Sequence, residues 1–272
     1  MADNSTYDVI IIGSGPGGYV AAVRASQLGL NVACIEKAPR LGGVCLNVGC
    51  IPSKALLDSS EYFQLAKKQF ADHGIKTGRI SLDLAAMMAR KEKVVQDLTE
   101  NVKRLLEGHK VQIIQGTAKL AAADQVTVTM ESSTAKKKQT ITLSAKAIIL
   151  ATGSESIPLP DLPFDGRQII SSTDALKLDA VPKHLGIVGG SNGGLLVGAC
   201  MVQRPDLFEA VVCQVPLLDM KRYNKLLAGA SWMAEYGNPD VPEDWEFIQT
   251  WSPYHLVEKD AEYPKVFFWT TT

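Results

Sequence analysis

A glycine-rich turn between an apolar run and a helical stretch limits most strongly the folds open to this chain. Residues 7–12 form a short apolar run that ends in Gly13-Ser14-Gly15-Pro16-Gly17-Gly18. An apolar run ending in glycine reads as a buried parallel strand. Residues 16–28 then read as a helix stopped by Gly29, and residues 31–35 as a second buried strand. Together they form a βαβ unit of ordinary length, which places the N-terminal part in the α/β class.

The turn fits G-x-G-x-x-G. Gly13 permits the tight bend, Gly15 lets the backbone approach a pyrophosphate, and Gly18 lets helix and strand pack closely. The helix start adds unpaired N–H groups and a favourable dipole for phosphate. Glu36 ends the second strand, where a carboxylate can accept hydrogen bonds from ribose hydroxyls. The competing reading is a bare structural turn.

Cys45 and Cys50 flank Leu46-Asn47-Val48-Gly49, read as a short loop that can close as a disulfide and open into a dithiol. Ile51-Pro52-Ser53-Lys54 then starts a helix, with proline in its first turn. A thiol at such a start has its thiolate favoured. The competing reading is two buried, unpaired cysteines. Five cysteines at irregular spacing do not form a secreted disulfide scaffold, so a close pair reads as catalytic.

Further along, residues 54–70 and 82–106 read as helices, the second with Leu82, Leu84, Met87, Met88, Val94, Val95, Leu98, Val102 and Leu105 as its apolar stripe. Residues 111–115 read as a strand, and 125–130 with 139–143 as an antiparallel ribbon around polar residues 131–138. Lys136-Lys137-Lys138 is read as the solvated hairpin tip. Residues 147–150 form a buried strand ending at Ala151-Thr152-Gly153, and a connector runs over 154–184. Residues 185–188, 210–215 and 265–269 read as strands, and a helix runs from Gly194 to about Gln203.

A net charge of −1 gives no footprint for nucleic acid or an anionic membrane. No apolar stretch is long enough to span a bilayer. Met1-Ala2-Asp3-Asn4 lacks the order of a signal peptide, so a cytoplasmic location is expected.

Gly42-Gly43-Val44-Cys45-Leu46-Asn47-Val48-Gly49-Cys50-Ile51-Pro52-Ser53-Lys54, with the turn before it, resembles the flavoprotein disulfide reductases, and among them the dihydrolipoamide dehydrogenases. The resemblance covers residues 7–188. It implies FAD at Gly13, Gly15, Pro16, Gly18, Glu36, Lys37 and Gly43. Ala151, Thr152 and Gly153 match a further FAD contact, and Gly116 a backbone contact near the adenine. It also implies that Cys45 exchanges with a dihydrolipoyl-type dithiol, that Cys50 faces the flavin, and that Lys54 lies near the flavin ring. NAD is the family's electron acceptor and the family is homodimeric. The NAD site is expected to be lost, because Ser191 stands where a second glycine belongs and no matching acid follows. A second FAD segment, a dimer domain and a His-Glu base are also expected to be missing.

Gly189-Gly190-Ser191-Asn192-Gly193 fits G-x-S-x-G, with glycines two positions either side of an exposed serine. With Gln203-Arg204-Pro205-Asp206-Leu207-Phe208 and Tyr263-Pro264-Lys265-Val266, residues 189–268 resemble the prolyl oligopeptidase family of α/β-hydrolases. That resemblance implies Ser191 as nucleophile and the Asn192 N–H as an oxyanion donor. Its triad acid and histidine are not matched, and His255 is read as structural.

The expected fold is therefore α/β: a Rossmann-like FAD-binding parallel sheet with an antiparallel ribbon (1–153), a connector (154–184), and a partial hydrolase-like α/β segment (185–272). The expected protein is chimeric and truncated, an incomplete FAD-dependent disulfide oxidoreductase, with a serine hydrolase or a non-enzymatic fragment as alternatives. No metal is expected. Apolar faces and sheet edges are expected to be exposed in the C-terminal part, with self-association as the result.

Overall fold

In the computed structural model, residues 6–130, 139–158 and 161–270 are described. Met1-Ala2-Asp3-Asn4 and the lysine run at 136–138 lie outside them. The chain divides into two compact units, one ending at Val181 and the other starting at Pro182.

The first unit opens with β1 (Thr6–Ile12), α1 (Pro16–Gln27) and β2 (Val32–Glu36). Next come α2 (Gly43–Val48), α3 (Cys50–Lys68) and α4 (Leu84–Gly108). Strands β3 (Gln112–Gln115), β4 (Thr117–Ala122), β5 (Gln125–Met130) and β6 (Gln139–Leu150) follow, then the short α5 (Ser172–Ala175). They form one sheet in the order β3-β2-β1-β6-β5-β4. The first four strands are parallel, and β4–β5–β6 is an antiparallel meander.

The strands expected over 139–143 and 147–150 are one strand. β6 pairs with β5 over Gln139–Ser144 and with β1 over Ser144–Leu150. Alternation marks its first half and an apolar run its second, because its neighbours change along its length. β4 was not foreseen: its burial is slight, so its sequence carries little strand pattern.

Val9, Ile11, Val32 and Cys34 face a core built with Ala22 and Ala25 of α1 and Val102 and Leu106 of α4. Ile10, Ala33 and Ile35 face the other core, closed by Val126, Val128 and Leu143 of the meander. Burial on both faces makes β1 and β2 read as unbroken apolar runs, and each fully buried isoleucine contributes roughly 1.5–3 kcal/mol.

α4 begins at Asp83, whose carboxylate accepts from the Ala86 N–H at 2.9 Å. Its buried stripe is Lys91, Val95, Thr99, Val102 and Leu106; Val95 and Val102 belong to the stripe expected, and Leu98 packs against the same core. Leu82 and Leu105 are exposed. Lys91 is buried because its ammonium donates to the Leu176 carbonyl at 2.9 Å, tying α4 to the segment after α5.

The second unit comprises β7 (Gly186–Gly190), α6 (Asn192–Gln203), β8 (Ala210–Gln214), α7 (Met233–Tyr236), α8 (Pro242–Ile248) and β9 (Lys265–Trp269). Its three strands are parallel, in the order β7-β8-β9. α6 covers one face through Val197, Met201 and Val202 against Val211 and Cys213. It starts two residues before the expected Gly194, because Ser191 already completes the turn. Val188 and Phe267, level with each other across β8, and Trp269 remain exposed, as expected of this part. No described helix is long and apolar enough to cross a membrane.

Candidate functional site

The β1–α1 turn is shaped by what its glycines cannot carry. Gly13 has φ +104°, and a Cβ there would overlap the Ala151 carbonyl oxygen. A Cβ at Gly18 would overlap the Gly13 carbonyl. These contacts press β1, the end of β6 and α1 together. Gly15 differs: the nearest atom to a Cβ there is the Gly43 Cα at 3.7 Å, and at Gly17 nothing lies within 4 Å. Open space therefore sits over the first turn of α1, where N–H groups lack helical acceptors. That space suits the pyrophosphate of a dinucleotide.

Glu36 ends β2 and is buried. One carboxylate oxygen accepts from the Ser14 N–H at 2.9 Å and the Ser14 hydroxyl at 2.6 Å, and the other from the Ala38 N–H at 2.8 Å. A carboxylate has about four lone-pair sites, so three donors leave room for a ribose hydroxyl. The residues present thus fit an adenosine ribose as well as a diphosphate. Lys37 is exposed and pairs with Glu155 at 2.8 Å, which holds the segment beyond Gly153 to the end of β2. Each charge holds the other's pKa away from its ordinary value, Lys37 upward and Glu155 downward, chiefly through that hydrogen bond.

Ala151, Thr152 and Gly153 leave β6 beside Gly13, with the Ala151 N–H on the Ile12 carbonyl at 2.8 Å. Pro16 opens α1. The Gly116 N–H donates to the Glu36 carbonyl at 2.8 Å, and a Cβ at Gly116 would lie 2.7 Å from the Val128 side chain. Gly116 therefore serves strand packing as well as lying next to the cradle's acid.

The residues between the cysteines are not the loop that the sequence suggested. Cys45 lies inside α2, which runs to Val48, and Gly49 alone separates it from Cys50 at the head of α3. A helical turn satisfies backbone groups that a loop of that length would leave open. Both cysteines are free thiols; Cys50 is exposed and Cys45 half-buried. The neighbouring Cys50 thiol is the main cause that pushes the Cys45 pKa up, with burial next and the Cys50 charge after it. The Cys50 backbone N–H and the Lys54 charge act in the opposite direction. Lys54 is thus close enough for its charge to act on the pair. Cys34, on β2, is buried and pushed up to about 12, chiefly by desolvation and then by Glu36.

Two functional side chains escaped the motif reading. Ser14 fills a variable position of the glycine pattern, yet it is buried and bonded to Glu36. Asn47 lies between the cysteines and donates to the Leu41 and Gly43 carbonyls, each at 2.9 Å. Nothing in the motif marks either side chain as bonded.

In the second unit, Ser191 sits between β7 and α6 with φ +55° and ψ −116°, an uncommon conformation for a non-glycine residue. It is exposed, and its N–H donates to the Gln214 carbonyl at 2.9 Å. Of the two glycines expected to make room, only Gly189 does so, since a Cβ there would overlap the Gly193 carbonyl. Gly193 faces open space, and Gly194 packs on Gln214 and Pro216 in its place. Asn192 accepts a hydrogen bond from the Tyr236 hydroxyl. Gln214 ends β8, where a nucleotide-binding unit would carry its acid. His255 hydrogen-bonds through Nδ1 to Ser252 at 2.8 Å. Among the described residues, no cluster of side chains could hold a metal ion.

The family described as pyridine nucleotide-disulphide oxidoreductase matches residues 7–222. Leghemoglobin reductase of Vigna unguiculata is 48% identical over 192 residues, which is 71% of this chain and 36% of that protein. The mitochondrial dihydrolipoyl dehydrogenase of Pisum sativum is 46% identical over 192 residues, 71% of this chain and 37% of its own length. Dihydrolipoyl dehydrogenase 3 of Pseudomonas aeruginosa is 48% identical over 195 residues, 71% and 40% respectively. The chain spans somewhat over a third of the length of these curated relatives.

Proposed function

The chain belongs to the pyridine nucleotide-disulphide oxidoreductases, and we propose that it carries the FAD-binding and dithiol-exchanging part of such an enzyme, acting on a dihydrolipoyl-type dithiol. One observation carries the reading: two free thiols on the adjoining helices α2 and α3, the first of which packs its Gly43 against Gly15 of the nucleotide turn. Gly15, Gly17 and Glu36 would hold the diphosphate and ribose, with Gly43, Ala151, Thr152 and Gly153 along the rim. Bound FAD would supply the two-electron acceptor.

The protein's own chemistry is thiol exchange. In the oxidised pair, a substrate thiolate attacks the Cys45 sulfur, breaking the Cys45–Cys50 bond and forming a mixed disulfide. The second substrate thiol then attacks the substrate sulfur in that bond, which releases Cys45 and leaves the substrate as a disulfide. One S–S bond is lost and one gained, and the two substrate protons end on the cysteine pair or in water. Lys54 favours charge on Cys45 during this exchange. NAD is the proposed final acceptor. Ser191 and Gln214, in place of a glycine and an acid, support weak NAD binding by β7–α6–β8.

Titrating the full chain with FAD tests this reading. Saturable binding is expected, with dithiol-dependent bleaching of the flavin band that Cys45→Ser abolishes. A chain that takes up no FAD would count against it.

The conformation of Ser191 supports a second reading, a nucleophilic serine at a hydrolase-type elbow with the Asn192 N–H as oxyanion donor. The Ser191 hydroxyl has no hydrogen-bond partner among the described residues, and a serine without a general base is a poor nucleophile. A fluorophosphonate probe should label the wild type and spare Ser191→Ala if this reading holds; an unlabelled wild type removes it.

A further inference from the structure

We infer that Asn47 is a positioning residue that locks the cysteine pair to the nucleotide cradle. The inference deepens the redox reading above and rests on it. α2 has only six residues and no side-chain cap at its start. Helices this short do not hold themselves in water. The entry into α2 is equally unsupported by local preference: Gly42, before it, and Gly43, its first residue, take φ of +96° and +60° in succession. That pair of left-handed residues brings Gly43 onto Gly15, so that a Cβ added at Gly43 would lie 2.6 Å from the Gly15 Cα.

Asn47 closes this arrangement from inside the helix. Its amide nitrogen donates both hydrogens, to the Leu41 carbonyl just before the glycine pair and to the Gly43 carbonyl within it. On the cradle side, the Gly42 N–H donates to the Ser14 carbonyl at 3.0 Å and lies 3.2 Å from the Ser14 hydroxyl oxygen. That hydroxyl donates in turn to Glu36. A continuous set of polar contacts therefore runs from the ribose-site acid through Ser14 and the glycine turn to the helix that carries Cys45. Position 47 needs a side chain that donates two hydrogens. Aspartate would turn lone pairs toward two carbonyl oxygens, and leucine would offer no donor.

The consequence concerns sulfur chemistry. With α2 held, Cys45 stays beside Cys50 at the head of α3, and each thiol is at high effective concentration for the other. Loosening α2 lowers that concentration and disfavours ring closure against an external thiol.

The test is equilibrium with glutathione, using the full chain without added FAD. In it the S–S bond of oxidised glutathione breaks as the Cys45–Cys50 bond forms, and two thiol hydrogens pass to two glutathione molecules. Asn47→Leu and the nearly isosteric Asn47→Asp are each expected to lower the closure constant about tenfold, the scale of losing one or two neutral hydrogen bonds. Asp83→Ala removes the cap of α4 and serves as a control for general destabilisation. It is expected to leave the constant unchanged. An unchanged constant in both Asn47 variants overturns the inference, and so does an equal fall in Asp83→Ala. Wild-type protein that never closes the disulfide would overturn the redox reading itself, a result distinct from either.

Discussion

Three cysteines close to the cradle have different surroundings, and their order of reaction follows from them. Cys50 is exposed, Cys45 is half-buried with its pKa pushed up by Cys50, and Cys34 is buried with its pKa pushed up to about 12. A thiol reacts as its thiolate and only when reached. Brief alkylation of the reduced chain at neutral pH is therefore expected to label Cys50 first, Cys45 more slowly and Cys34 only on unfolding. Raising the pH should speed the labelling of Cys45, because a raised pKa holds back its thiolate most below it. Peptide mapping after timed quenching reads the order; early modification of Cys34 would show that its strand opens. The place of Glu36 at the end of β2 was legible in the sequence, because spacing from a glycine turn marks it. The hydrogen bonds of Ser14 and Asn47 were not: Ser14 meets a residue 22 positions away, and Asn47 bonds into a turn that itself left no sequence signal.

At the scale of elements, the strands that were easiest to read are those with one environment. β1 and β2 are apolar throughout and buried on both faces, so their extents were clear to within a residue or two. β6 was read as two strands because it has two environments. α4 was recognised as a helix from its period, with Val95, Leu98 and Val102 on its inward face, yet Lys91 and Thr99 on that face were not foreseen. Lys91 and Thr99 are buried within it because each finds a backbone carbonyl, of Leu176 and Gln96 respectively. Apolar patterning cannot foresee a polar group that is satisfied in the interior. The short α2 lacked any helix signal, since six residues that begin with one glycine and follow another have low intrinsic preference. Its start is tied down by the Asn47 amide on the Leu41 and Gly43 carbonyls and by the packing of Gly43 on Gly15.

For the whole molecule, the two units differ in how well their sheets are covered. The first sheet has helices on one face and its own meander on the other. The second has α6 on one face, while Val188, Phe267 and Trp269 lie open at more than half of their possible exposure. Parallel sheets are ordinarily covered on both sides, and an uncovered apolar face with edge strands promotes association. Light scattering at rising concentration is expected to show oligomers, and Phe267→Lys with Trp269→Lys to reduce them; a monodisperse monomer of the unaltered chain at every concentration would contradict this. The sequence alone determined the βαβ unit, the cradle and the nearness of the two cysteines, because those depend on glycine geometry and on residues close in the chain. Tertiary structure decided which faces are buried, which strand joins ribbon to parallel sheet, and how Ser14 binds Glu36. Those outcomes depend on partners distant in sequence, and no local pattern encodes a distant partner.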